Sequence, residues 1–236
     1  MGGARSVARR AGGSMRYGGS FLALSGSLAV LGGASGGSGL LLLWPALSFV
    51  VVGAAYVARR PGLLGKRTDG TVAWWAMVLL GPYFLLARGV WRALRLGGKP
   101  CADEVSPALW VGRRPFAWEL PEGVRVIVDL TAEFPADGAV GRHPGYHCVP
   151  TLDGTAPEGE VLVALVERLR GEEGVYLHCA AGHGRSATVA AALLLSRGLA
   201  TTVDEAEAQL RRRRPGIRLN AAQRRVLEEV VARGRA

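Results

Sequence analysis

The chain has 236 residues, 49% of them hydrophobic, and a formal net charge of +10. That is long enough for a sizeable core, and the 3 cysteines, Cys101, Cys148 and Cys179, say nothing about disulfides. The basic excess is gathered largely around apolar segments, so it argues for anionic lipid rather than nucleic acid as the charged partner.

Three apolar stretches lead the chain: residues 18–35, rich in glycine; residues 40–58, from Leu40 to Ala58, without a charge; and about 71–90, with Trp74, Trp75 and Tyr83. A bilayer core takes about 20 apolar residues as helix. The second fits well, the third nearly, and the first less well because of its glycines. A signal peptide accounts for the first but not for the two that follow. Residues 1–99 are therefore expected to form a membrane region of two or three helical passes, and residues 100–236 a second domain.

Arg5, Arg9, Arg10 and Arg16 precede the first segment, and Arg59, Arg60, Lys66 and Arg67 follow the second. Excess positive charge stays cytoplasmic, which puts the N-terminus and the 59–70 loop on that side. A full third crossing would export the rest of the chain, together with Arg88, Arg92, Arg95 and Lys99. A third segment that re-enters or lies shallow, bent at Pro82, avoids this and leaves the second domain cytoplasmic.

Leu96 to Pro107 reads as a linker. Leu109–Gly112, Val124–Leu130 and Tyr146–Val149 read as strands. Val161, Leu162, Leu165, Val166 and Leu169 recur at helical spacing, with Gly171 to end the helix. Val175–His178 is a strand. Ser186–Arg197 is a helix stopped by Gly198. Thr202-x-x-Glu205 and Asn220-x-x-Gln223 look like two further helix starts. Strands alternating with helices predict an α/β domain.

Between the last strand and the next helix lies His178-Cys179-Ala180-Ala181-Gly182-His183-Gly184-Arg185-Ser186. A glycine-bearing loop that runs from a strand into a helix turns its N–H groups around an anion, and the helix aims its positive end at the same point. Residues Ala180 to Arg185 would make that phosphate cradle. A thiol at its floor loses its proton easily. Cys179 is thus the candidate nucleophile on phosphorus, Arg185 the bidentate grip on phosphate oxygens, Ser186 a hydrogen-bond partner of the sulfur, and His178 a support behind the loop. No metal-ligand pairing accompanies the cysteines.

Cys179, five residues, then Arg185-Ser186, with His178 before them, resembles the cysteine-dependent protein tyrosine phosphatase superfamily, in its dual-specificity branch. The resemblance spans roughly the last 130 residues. It implies a central sheet flanked by helices and a metal-free, cofactor-free, two-step phosphomonoesterase acting on a phosphorylated protein or a phospholipid. It also implies a general acid on a loop ahead of the cysteine. Val149-Pro150-Thr151-Leu152-Asp153-Gly154-Thr155 stands there, which makes Asp153 the candidate acid, although Asp-Gly is also an ordinary turn pair. Asp137 and Asp129 compete for the role, and Asp129 suits a backbone contact better. Glu133 is expected to brace the arginine. Glu133-Phe134 with Thr151–Thr155 is most similar, within the superfamily, to the mitochondrial phosphatidylglycerophosphate phosphatases. The alternative to an enzyme is a catalytically silent, phosphate-binding membrane scaffold. The arginines at 211–214, 218, 224 and 225 read as a solvated face or as a contact for head groups or an acidic substrate.

Overall fold

The computed structural model describes residues 12–234. The expected basic flank Arg5, Arg9 and Arg10 lies outside these residues. The chain divides into two compact units, one holding residues through Arg67 with Thr71–Leu96 and Ala132–Pro135, the other the remainder.

In the first unit, helix α1 (Gly12–Ser35) and helix α2 (Leu43–Ala58), the latter preceded by a 3₁₀ turn over Gly37–Leu42, run antiparallel. Among the described residues two helices are long and apolar enough to cross a bilayer, by length and composition, Met15–Ser35 and Gly37–Ala58. The glycines that weaken the first stretch on composition have a packing reason. A Cβ on Gly18 would lie 3.3 Å from the Gly53 carbonyl, and one on Gly32 would lie 2.9 Å from that of Gly39. Midway, the Ser25 hydroxyl donates to the Ala46 carbonyl at 2.7 Å. Gly18, Ser25 and Gly32, seven apart, thus face Gly53, Ala46 and Gly39 along one seam, the small-residue contact that suits helices with lipid rather than water around them. Phe21 adds ring contacts to Phe49, Tyr56 and Tyr83 at 5.7–5.8 Å.

The third apolar stretch is divided. Helix α3 (Trp74–Leu79) is six residues long, and helix α4 (Gly81–Arg95) starts afresh with Pro82 in its first turn. Neither helix alone is long enough to cross a bilayer core: fifteen residues reach about 22 Å. Pro82 has no N–H to offer the Val78 carbonyl one turn back. The Trp44 indole N–H of α2 takes that place at 3.0 Å, and its ring lies against Gly81. Leu86, Val90 and Leu94 form an exposed apolar stripe along α4, with Arg88 and Arg92 exposed beside it.

The second unit is a mixed five-stranded sheet in the order β1-β2-β5-β3-β4, flanked by helices. Strands β2 (Leu109–Arg113), β3 (Val126–Thr131), β4 (Tyr146–Thr151) and β5 (Val175–Cys179) run parallel to their neighbours, and β1 (Ala102–Ser106) pairs antiparallel with β2. β1 corrects the linker reading of 96–107. Its polar side chains Asp103, Glu104 and Ser106 suit a sheet edge and carry no apolar alternation. Helices α5 (Gly159–Leu169), α6 (Arg185–Ser196), α7 (Val203–Arg213) and α8 (Ala221–Gly234) complete the unit.

Period-two alternation decides the placement of the site. Val175, Leu177 and Cys179 of β5 point into the larger core, with Val126, Val128 and Leu130 of β3, Leu162 and Leu169 of α5, and Val189 and Leu193 of α6. Tyr176 points to the other face, against Ile127 and Val140. Because both faces are covered, these strands are almost continuously apolar. Helix α6 is buried from Arg185 to Leu194, so its apolar character belongs to this core.

Candidate active site

Register brings the carboxyl ends of four parallel strands to one edge: Arg113 lies opposite Cys179, Asp129 opposite His178, and Thr131 opposite Thr151. Ligands of open α/β sheets collect at such an edge. The loop Ala180–Gly184 leaves it and turns into α6. Gly182 has φ +77°, and a side chain there would collide with the backbone of Gly112. The second loop glycine, Gly184, has ordinary φ and serves close approach instead, since a Cβ on it would stand 2.8 Å from the Gln223 side-chain nitrogen.

Cys179 lies buried at the loop floor. The Gly182 N–H donates to its sulfur at 3.2 Å, and the Ser186 hydroxyl is 3.5 Å from it. Burial pushes the thiol pKa up, but the Arg185 charge and hydrogen bonds from the Ser186 side chain and backbone outweigh it, and the net shift is downward. A group with a depressed pKa holds its charge at lower pH. Alkylation of Cys179 by iodoacetamide should therefore reach half its maximal rate below the pH at which an ordinary cysteine ionises. A midpoint in the ordinary thiol range would contradict the site's electrostatics.

Arg185 is held at the converging strand ends. One guanidinium nitrogen donates to the Thr151 carbonyl at 2.8 Å and the Leu130 carbonyl at 3.2 Å, and the other lies 3.0 Å from the Asp153 carboxylate. Asp153, at 59% side-chain exposure, is open to an incoming ligand. It sits on a turn closed by Thr155, whose N–H and hydroxyl both donate to the Leu152 carbonyl, with Gly154 at φ +70°.

The competing aspartates have structural partners. Asp129 accepts from the Thr131 N–H and hydroxyl at 2.8 and 2.7 Å and from the Tyr146 hydroxyl at 2.8 Å. Burial and Asp129 push the Tyr146 pKa up, so the phenol remains a donor. Asp137 accepts from the Ala139 N–H at 3.2 Å. His178 is buried behind the loop, its Nδ1 3.8 Å from Asp129. His183 packs its ring on Gly216, and burial, with Arg214 and Lys99 nearby, lowers its pKa, so it is neutral at pH 7. Glu133 is buried and accepts from the Ala132 N–H at 2.9 Å. Among the described residues no group of three His, Cys, Asp or Glu could hold a metal.

One residue of the site hides in the basic tail. Arg211, Arg212 and Arg213 are exposed as a charge run suggests, but Arg214 is buried. It donates to the Gly182 carbonyl at 2.9 Å and the Ala181 carbonyl at 3.2 Å, and pairs with Asp103 at 2.7 Å. With those carbonyls bonded to Arg214, the Gly182 N–H is left directed at the Cys179 sulfur. The available signal is Pro215-Gly216 directly after it, where the helix must end and its last arginine leaves the solvated face.

A buried thiol of lowered pKa beneath a loop N–H, with an arginine beside it, is the arrangement of a cysteine-dependent phosphatase site. The family model described as dual specificity phosphatase, catalytic domain, matches residues 126–232. Among solved structures, Tk-PTP in its active form is 34% identical, covering 57% of this chain and 98% of that one, with a TM-score of 0.48. PTPMT1 in complex with PI(5)P is 22% identical over 57% and 99% of the two chains, with a TM-score of 0.48. The human tyrosine phosphatase-like serine/threonine/tyrosine-interacting protein is 20% identical over 58% and 100%, with a TM-score of 0.51, a likeness of fold. No curated protein matches. The chain belongs to the dual-specificity family of cysteine-dependent phosphatases.

Proposed function

We propose that the protein is a membrane-anchored, metal-independent phosphomonoesterase that works through a phosphocysteine intermediate. The observation that carries this reading is the Cys179 thiol beneath the Gly182 N–H, with Arg185 buried beside it and Asp153 on that arginine. The Cys179 thiolate attacks phosphorus as the bond to the leaving oxygen breaks, and Asp153 gives that oxygen its proton. Arg185 and the N–H groups of Ala180 to Arg185 hold the three remaining oxygens. In the second step Asp153 takes a proton from water, water attacks phosphorus, and the sulfur leaves while hydrogen-bonded to Ser186. His178 supports the loop from behind.

Residues 1–99 are the membrane region and 100–236 the catalytic domain. The α1–α2 pair supplies two passes, and the divided third segment lies shallow, consistent with the apolar stripe of α4 beside its arginines. Two passes return the chain to the cytoplasmic side, where basic flanks and a reactive thiol both belong. This anchoring favours a lipid phosphate. Proteins phosphorylated on tyrosine, serine or threonine near the membrane are the second substrate class.

One preparation tests activity and place together. Full-length protein should resist carbonate and yield to detergent, and the extract should hydrolyse an activated aryl phosphate in EDTA but not in vanadate. In intact cells, an impermeant thiol reagent should reach Cys179 only after permeabilisation. A panel of lipid phosphates, inositol phosphates and phosphopeptides then ranks substrates. Loss of activity in EDTA would overturn the metal-free mechanism, labelling from outside the topology, and preference for phosphopeptides the lipid assignment.

A further inference from the structure

The start of α8 carries two amides that do more than cap a helix. The Asn220 side-chain oxygen accepts from the Ala222 and Gln223 N–H groups, both at 3.0 Å, and the Gln223 side-chain oxygen accepts from the Asn220 N–H at 3.0 Å. That reciprocal cap uses only the oxygen of each amide. Both NH₂ groups point elsewhere. That of Asn220 donates to the Gly154 carbonyl at 2.9 Å, and that of Gln223 to the Thr155 carbonyl at 3.0 Å. These carbonyls are on the two residues that follow Asp153. The Gln223 amide also stands against Gly184 of the phosphate loop and is 2% exposed.

We propose that Asn220 and Gln223 are positioning residues for proton transfer, a latch that uses the nitrogen of each capping amide to fix the Asp153 turn above the phosphate loop. The inference rests on Asp153 being the general acid. Among the described residues the backbone of Leu152–Thr155 is otherwise bonded within the turn, by the two Thr155 bonds to the Leu152 carbonyl, and the Asp153 carboxylate lies 3.0 Å from Arg185. Once Arg185 grips phosphate instead of Asp153, a turn held only by its own bonds keeps its shape but not its place relative to another loop. Proton transfer requires the carboxyl within about 3 Å of the leaving oxygen, and the latch supplies that placement from α8.

Cap and latch can be separated because they use different atoms. Serine caps about as well as asparagine but has no NH₂ to reach Gly154. Asn220→Ser should therefore leave the melting temperature almost unchanged. It should slow hydrolysis of phenyl phosphate about tenfold, the worth of one positioning hydrogen bond, while an activated aryl phosphate, whose leaving group needs no proton, is barely affected. Asn220→Asp keeps the cap and loses the donor, so it should shift the ratio between the two esters in the same direction. In an Asp153→Asn background, Asn220→Ser should cost nothing further on phenyl phosphate, since the group it places is gone. Equal slowing of both esters, or an additive double variant, would overturn the latch. If Asp153→Asn discriminates between the esters and Asn220→Ser does not, the latch alone fails. If Asp153→Asn does not discriminate, the acid assignment fails and the latch with it.

Discussion

Cys179→Ser is expected to lower turnover by about 10⁶-fold, the scale at which loss of a covalent nucleophile acts, while inorganic phosphate still binds. A serine hydroxyl ionises far above any pH at which the protein is folded. The Arg185 charge and Ser186 hydrogen bonds that lower the thiol pKa cannot bring an alcohol into range. The cradle itself is untouched, because its N–H groups and Arg185 do not depend on the sulfur. Turnover and phosphate binding measured on the same purified variant decide the point. Substantial residual hydrolysis would remove Cys179 from the mechanism.

Asp153→Asn is expected to slow esters of poor leaving groups by about 10²- to 10⁴-fold and activated aryl esters far less. The structure adds a second expectation. Asp153 lies 3.0 Å from the guanidinium that must grip phosphate, so its side chain occupies a place that the substrate oxygens need. The neutral amide of the variant binds the guanidinium less strongly, which should leave KM for the activated ester unchanged or lower it. A plot of kcat against leaving-group pKa should be steep in the variant and shallow in the wild type. If Asp137→Asn gives the steep plot and Asp153→Asn the shallow one, the acid is Asp137, despite its bond to the Ala139 N–H.

The phosphate loop was readable in the sequence because its chemistry demands particular residue types at fixed spacing, and the alternation of β5 placed Cys179 on the core face. Strands β2 to β5 and the main helices of the second unit followed from periodicity and caps, with ends that differ by one or two residues. β1 did not, because an edge strand of mostly polar residues carries no apolar alternation. Arg214 reaches two carbonyls and Asp103, and the nitrogens of Asn220 and Gln223 one carbonyl each, all through long-range bonds that leave no periodic trace. Asn220-x-x-Gln223 announces a cap, and a cap requires only the oxygens. The glycines of α1 counted against a membrane pass by hydropathy, whereas their meaning lies in the helix opposite. The break at Pro82 was legible, but what satisfies the carbonyl it exposes was not.

That carbonyl bears on the proposed topology. The Trp44 indole ties Val78, at the end of the short helix α3, to α2 at 3.0 Å and supplies the donor that Pro82 lacks. In the two-pass arrangement proposed above, a side chain of the hairpin thus anchors the start of the shallow segment. With two passes the chain enters and leaves the hairpin on one side of the bilayer whichever way it inserts, and the basic flanks choose only which side that is.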